Sequence, residues 1–192
     1  MSTTQPIRNL ENLERLKNYF LTECPNLRNY LLVHLSVNTA LRISDILSLT
    51  WEDVYDFYHF TFREHLILTE KKTKKRKQIP LNENLVESLT SYMQSYPVVL
   101  PKNYLFFGRN VSHPLSRSQA FRILKTASEN LHFEDPVSCH SLRKTFGYHA
   151  WQAGVTPVML MNIYNHSSYQ ITKRYLGIEQ KEIDDVFLNI KL

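Results

Sequence analysis

Four separated stretches of the chain carry cations and hydrogen-bond donors of the kind that stabilise an anionic centre. Arg42 stands in TALRISDILSL, the run KKTKKRK fills 71–77, His140 and Arg143 stand in CHSLRKTFGYHAWQAG, and His166 stands in NHSSYQITKRYL, with Tyr175 nine residues beyond it. Taken singly, an arginine at a helix start is usually a salt-bridge partner and a histidine a satisfied polar residue. The four stretches together share one chemical character, suited to an anion. Other chemistries lack support. Cys139 precedes His140 without a cysteine-protease nucleophile signature and reads as a small packing residue. The eight histidines show no zinc-like His/Cys spacing, so no metal site is expected.

The charge distribution points the same way. The formal net charge is +5, divided as −3 over residues 1–70, +10 over 71–175 and −2 over 176–192. A basic middle between mildly acidic ends suits a polyanion, because Lys/Arg clusters release counterions from nucleic acid on binding. The 192 residues suit one compact domain able to bury a core without staples. Two distant cysteines exclude a disulfide framework. The start MSTTQPIRNLENLERL lacks the apolar stretch of a secretory signal, and no window approaches the ~18 apolar residues of a membrane span. The expectation is a soluble cytoplasmic protein.

The elements that must hold these residues are mainly helices. Leu10, Leu13, Leu16 and Phe20 give near-helical spacing over 9–22, and residues 26–41 read as a largely buried second helix. Ser44 can cap a short helix through Leu49, with Asp45 in its first turn, where a carboxylate suits the dipole. Aromatic and β-branched enrichment from Val54 to Thr69 predicts strands, with Lys71–Lys77 a basic turn and Gln78–Leu81 a returning strand. Asn82 caps a helix to Tyr96. Ser116 and Gln119 form a capping box for a helix to Leu131. Residues 140–153 are helical until Gly154, and Thr156-Pro157 opens a helix to Tyr164. A short helix carries Tyr175. Ile183, Val186, Phe187 and Ile190 define an amphipathic C-terminal helix. The fold class is α+β, mainly α-helical with a small antiparallel β-sheet, and Trp51 and Trp151 are core or helix-packing residues.

In this order, from about Leu10 to Leu176, the motifs resemble the catalytic domain of the tyrosine recombinase (phage integrase) family. Arg42 matches the first arginine in the family's A-L-R-x-S-[DE]-[IL]-x-x-L setting. Lys72, in Lys72-Thr73-x-Lys75 before Ile79-Pro80-Leu81, matches its hairpin lysine, though the register of the run leaves Lys74 or Lys75 open. His140-Ser141-Leu142-Arg143 matches the H-x-x-R box, and His166-Ser167-Ser168 with Tyr175 matches the terminal box. Tyr175 is favoured over Tyr164 and Tyr169, which read as core aromatics, because it alone stands nine residues beyond His166.

The resemblance implies the DNA breaking-rejoining catalytic fold and a site-specific recombinase that works through a 3′-phosphotyrosyl intermediate without metal, nucleotide or other cofactor. Arg42 and Arg143 would grip non-bridging phosphate oxygens, and Tyr175 would attack phosphorus. His140 would take the tyrosine proton, Lys72 would protonate the departing 5′-oxygen, and His166 would hydrogen-bond the phosphate. Asp45 would orient from behind. DNA-contact candidates are Lys71, Lys74, Lys75, Arg76, Lys77, Lys144, Lys173 and Arg174. The expected partner is double-stranded DNA, bound by four protomers that are monomeric when free, in a bacterial or phage-encoded protein.

Two departures stand out. Asn165 sits where the family usually has Gly, although asparagine also tolerates a left-handed backbone. The 192 residues also leave no room for the family's N-terminal core-binding domain, as expected either of a naturally short recombinase like the fimbrial phase-variation invertases or of a piece of a longer protein. The expectation is a single catalytic domain over 1–192, with a flexible start at 1–8 and a C-terminal helix over 177–192 docked on its own domain or on a neighbouring protomer. A type IB topoisomerase-like activity and a non-catalytic DNA-binding accessory with the same fold are the rival readings.

Overall fold

The second helix is the axis on which the other elements pack. The computed structural model describes residues 4–178, 184 and 187–190. Helix α1 spans Leu10–Tyr19, and α2 spans Leu27–Thr39 with the Asn26 side chain accepting from the Asn29 N–H. Leu31, Leu32, Val33 and Leu35 of α2 are all fully buried, so this helix is apolar around most of its circumference, as a helix enclosed by neighbours must be. Ala40, in left-handed conformation, ends it, and the short helix α3 (Ile43–Ile46) follows with Arg42 at its N-cap. The cap therefore falls on Arg42 and not on Ser44. A further short helix, α4 (Trp51–Val54), which periodicity did not reveal, starts in a Thr50/Asp53 capping box.

The strands form two separate hairpins, not one sheet. β1 (Tyr55–Asp56) pairs with β2 (Thr61–Phe62), and β3 (His65–Thr69) pairs antiparallel with β4 (Arg76–Pro80), Thr69 facing Arg76. Arg76 and Lys77 thus belong to the returning strand, which shortens the basic turn to 70–75. The remaining helices are α5 (Glu83–Gln94, capped by Asn82), α6 (Arg117–Asn130, capping box Ser116/Gln119), α7 (Cys139–Gln152), α8 (Pro157–Tyr164, capped by Thr156) and α9 (Tyr169–Leu176).

Three apolar clusters hold these elements together. One face of α2 packs with α3, α4, β3 and α5, where Trp51 stacks on Tyr92. The opposite face meets α1, α6 and the start of α7. The third cluster joins α7, α8 and α9 through Leu160, Tyr164, Leu176 and Ile178, with Trp151 packed against it. Gly147 of α7 is required there. A Cβ at this position would stand 2.3 Å from the Tyr164 hydroxyl and 2.6 Å from a Leu176 methyl, inside any contact distance.

The start of the chain departs from expectation where it is described. Residues 4–8 are docked, not loose. Ile7 is buried, its N–H donates to Thr145 Oγ1 (2.9 Å), its carbonyl faces His149 Nε2 (2.9 Å), and the Thr4 carbonyl accepts from Lys144 Nζ (2.8 Å). At the other end Asp184 and Phe187–Asn189 are helical. Phe187, Leu188 and Ile190 are exposed, while Ile183 and Val186 of the predicted stripe lie outside the described residues.

Candidate active site

Helix α7 begins at a serine for a clear local reason. The Ser138 hydroxyl accepts from the His140 and Ser141 N–H groups (both 3.2 Å), which satisfies donors that the first turn leaves open. Starting there puts His140 and Arg143 one turn apart on the same side of the helix. Asn165, in left-handed conformation (φ 54°), ends α8 and turns the chain so that His166 follows immediately, and Ser168 caps α9, which carries Tyr175. The asparagine thus adopts the backbone that the family's glycine would supply.

All six residues named from the sequence line one cleft of about 960 Å³: Arg42, Lys72, His140, Arg143, His166 and Tyr175. They arrive from the α3 cap, the β3–β4 turn, α7, the α8–α9 turn and α9. The walls also include Arg117 and Phe121 of α6, which no motif singles out.

Two unforeseen residues set the arginines. The Tyr164 main-chain carbonyl accepts from both Arg42 Nη2 (3.4 Å) and Arg143 Nη2 (3.3 Å), and the Tyr164 hydroxyl donates to the Arg143 carbonyl (2.7 Å). Arg143, only 4% exposed, also lies 4.8 Å from the centre of the Tyr164 ring. Glu70 is the other. Its fully buried carboxylate is 2.9 Å from Arg42 Nη1 and 3.3 Å from Lys77 Nζ. It accepts from the Thr73 hydroxyl and from Asn165 Nδ2 (2.8 Å). Burial would raise its pKa, but the Thr73 hydrogen bond and the charges of Lys77 and Arg42 outweigh that and hold it at about 2. Asp45, also buried, donates its N–H to the Arg42 carbonyl (2.8 Å), while its Oδ1 accepts the Lys71 N–H (2.9 Å) and so fixes the start of the basic turn.

The electrostatics favour an anion and a neutral base. Burial lowers the Arg143 pKa, but an arginine remains charged. Arg143 Nη1 is buried without a hydrogen-bond acceptor among the described residues, whereas Arg42 Nη1 has the Glu70 carboxylate beside it. Two imidazoles flank the Tyr175 ring edge-on, His140 at 4.9 Å and His166 at 5.0 Å between ring centres. Desolvation, reinforced by Lys144 and Arg143 at His140 and by Arg143 and Arg42 at His166, lowers each to about 4. Both are neutral at pH 7. His166 faces Thr172 Oγ1 through Nδ1 (3.0 Å) and stacks on Tyr164. Burial raises the Tyr175 pKa against the pull of the adjacent Arg143 guanidinium and of Arg42, and the hydroxyl itself is buried. It is a protonated phenol beside a neutral imidazole and a buried guanidinium, so it can act as a nucleophile once a base takes its proton.

The candidate DNA contacts divide. Lys71, Lys74, Lys75 and Arg76 are exposed on the β3–β4 hairpin beside exposed Lys72, and Arg174 is exposed on α9, where half-buried Lys173 lies over the Tyr169 ring. Lys77 and Lys144 are turned inward. Lys77 pairs with Glu70 and donates to the Ile163 carbonyl, because position 77 points to the covered side of β4. Lys144 donates to Thr4 and lies 5.2 Å from the Tyr175 ring centre, since α7 packs beneath the N-terminal segment.

Comparison with known proteins identifies the family. A model of the phage integrase family matches residues 9–182. A probable integrase/recombinase of Bacillus subtilis strain 168, YoeC, is 41% identical over 180 residues, covering 94% of this chain and 93% of that protein. A tyrosine recombinase of Pseudothermotoga lettingae is 30% identical over 158 residues, 82% of this chain and 52% of that protein. The tyrosine recombinase XerD of Halalkalibacterium halodurans is 25% identical over 93% of this chain and 59% of its own length. The chain therefore spans nearly all of the first relative and little more than half of the other two. Among solved structures, XerA recombinase superposes with a TM-score of 0.76 at 19% identity, covering 100% of this chain and 68% of that one. The XerH site-specific recombinase bound to palindromic difH substrate, a post-cleavage complex, superposes at 0.70 and 18% identity, over 96% and 53% of the two chains. At such identities these likenesses speak for the fold.

Proposed function

The chain belongs to the phage integrase family, and on that premise we propose that it is a site-specific DNA recombinase that cuts and rejoins strands through a 3′-phosphotyrosyl link. A single cleft lined by two arginines, two neutral imidazoles, a lysine-bearing turn and one buried tyrosine hydroxyl carries this reading. Phosphodiesters resist attack because their negative charge repels nucleophiles, so catalysis is chiefly charge stabilisation and positioning.

Each residue then has a task. Arg42 and Arg143 hold the two non-bridging oxygens, their guanidinium planes fixed by the Tyr164 carbonyl. Neutral His140 takes the Tyr175 proton as the phenolic oxygen bonds to phosphorus and the bond to the 5′-oxygen breaks. Lys72 gives that oxygen a proton. His166 donates a further hydrogen bond to the phosphate. The second step runs in reverse with a 5′-hydroxyl from another strand as nucleophile, so the bond energy is retained and no ATP is needed.

The exposed lysines of the β3–β4 hairpin would contact DNA phosphates. On this reading residues 4–178 form the catalytic unit, the free chain is a monomer, and four protomers assemble on two duplexes. Exposed Phe187, Leu188 and Ile190 would be covered by a neighbouring protomer in that assembly. The test is strand exchange. Duplex sites selected from a random pool by binding should yield covalent protein–DNA adducts and then recombinant products between two labelled duplexes. Adducts with relaxation of supercoils but no exchange would mean topoisomerase chemistry, and binding without adducts would mean an accessory DNA-binding protein.

A further inference from the structure

Glu70 is a buried carboxylate surrounded by groups from four different places in the fold. Arg42 comes from the α3 cap, Lys77 from β4, Thr73 from the β3–β4 turn and Asn165 from the α8–α9 turn. Burying an ion is costly unless partners compensate it, and here two cations and two hydrogen-bond donors do so. These partners are the neighbours of the working residues. Thr73 follows Lys72, Asn165 precedes His166, and Arg42 is itself one of the arginines of the cleft. The main chain adds to the junction: the Glu70 N–H donates to the Lys75 carbonyl and the Lys74 N–H donates to the Glu70 carbonyl, each at 2.9 Å. The part of the turn from Thr73 to Lys75 is therefore tied to position 70, while its start at Lys71 is held by Asp45.

We infer that Glu70 is a positioning residue: its carboxylate orients Arg42 and, with Asn165, ties the Lys72 turn to the turn that carries His166. Asn165 matters here for its amide, because a glycine would satisfy the left-handed backbone equally well but could not reach the carboxylate. The pair Glu70–Asn165 joins two segments 95 residues apart in sequence. The arrangement holds Arg42 at both terminal nitrogens, Nη1 by Glu70 and Nη2 by the Tyr164 carbonyl.

The consequences for activity rest on the strand-transfer reading; the conformational consequence does not. The basic run is itself a set of tryptic sites, so native-state proteolysis reports how often the turn opens. Two variants are used. Glu70→Gln keeps the side chain's size and an acceptor for Thr73 but removes the charge. Asn165→Gly removes only the amide at a backbone that glycine accepts freely, so folding is not at risk. Trypsin should cut within 71–77 about tenfold faster in Asn165→Gly, and at least as much faster in Glu70→Gln, whereas cleavage at Arg117 and Arg174 stays at the parent rate. On a selected half-site duplex, both variants should bind within about twofold of the parent, because exposed phosphate contacts are untouched, but form adduct more slowly. Adding Lys72→Ala to either should cost less than it does in the parent, because both changes act through one turn. Unchanged proteolysis in both variants, or acceleration equal at all sites, would overturn the inference, the latter by making Glu70 merely structural. If the parent forms no adduct, the strand-transfer reading fails, while the protease pattern still decides whether Glu70 holds the turn.

Discussion

Gly147→Ala is a small change with a large structural lever. Helix propensity alone would favour alanine over glycine by about 1 kcal/mol in an interior turn. The new Cβ, however, would lie 2.3 Å from the Tyr164 hydroxyl, 2.8 Å from its ring and 2.6 Å from Leu176 Cδ2. None of these neighbours can retreat freely: Tyr164 and Leu176 are fully buried, and the Tyr164 hydroxyl is bonded to the Arg143 carbonyl. Overpacking of this kind costs about 1–3 kcal/mol, and loss of the tyrosine's hydrogen bond adds about 1 kcal/mol. The net expectation is destabilisation by about 1–3 kcal/mol, read as a lower midpoint in a urea melt at unchanged slope. Relief must also move Tyr164, whose carbonyl holds both arginines, or α9, which carries Tyr175. Adduct formation should therefore fall further than half-site affinity. Tyr164→Phe in the alanine background should recover only part of the stability, since the ring and Leu176 contacts remain too close. A Gly147→Ala variant as stable and active as the parent would refute the packing argument.

Removing the ammonium of Lys77 should leave the salt dependence of DNA binding unaltered while costing about 1–3 kcal/mol of stability, because the half-buried Ile163 carbonyl and the buried Glu70 carboxylate lose a partner; Lys74→Ala and Lys75→Ala should each lower the log-affinity against log-salt slope by ~0.9 without unfolding the chain. His34, His140 and His166, each held at about 4 in the folded chain, regain ordinary values near 6.5 on unfolding, so the unfolded chain binds more protons between those limits. Stability measured by urea melts should therefore be level above pH 6.5 and fall as pH drops from 6.5 toward 4, and a rise over that interval would contradict the buried neutral imidazoles. A chain ended after Ile178 should remain folded and bind a half-site yet fail to assemble two duplexes, as native gels would show; loss of folding would assign the tail to its own core.

Much of the site was legible because the signals were local. Asn82, Ser116 with Gln119, and Thr156-Pro157 cap the helices they announce, since capping is settled by side chains within one turn. The six cleft residues were found from motif order, and they converge in the fold. What failed were contacts between distant segments. A lone acid before seven mostly basic residues reads as solvated, and only the fold brings Arg42 and Asn165 to Glu70. Lys77 was readable in principle. Along β4, Arg76, Gln78 and Pro80 are exposed while Lys77 and Ile79 are half-buried, and period-two alternation from Ile79 inward points to position 77. Lys144 and the docked residues 4–8 conceal each other, so neither shows in a linear pattern. Asp45 could be read as an orienting carboxylate, but that its side chain holds the Lys71 N–H, 26 residues away, shows only in the fold.

The central claim is that the Tyr175 oxygen attacks phosphorus. Tyr175→Phe keeps the ring that packs between His140 and His166 and removes only that oxygen. The direct measurement uses a nicked suicide duplex of a binding-selected half-site, with protein–DNA adducts counted on a denaturing gel and the attachment point mapped by mass spectrometry of tryptic peptides. The account predicts adducts on the peptide containing Tyr175 in the parent, and in the phenylalanine variant none, with half-site binding retained. Adducts formed by the variant at the parent rate, or mapped to any other residue, would contradict it.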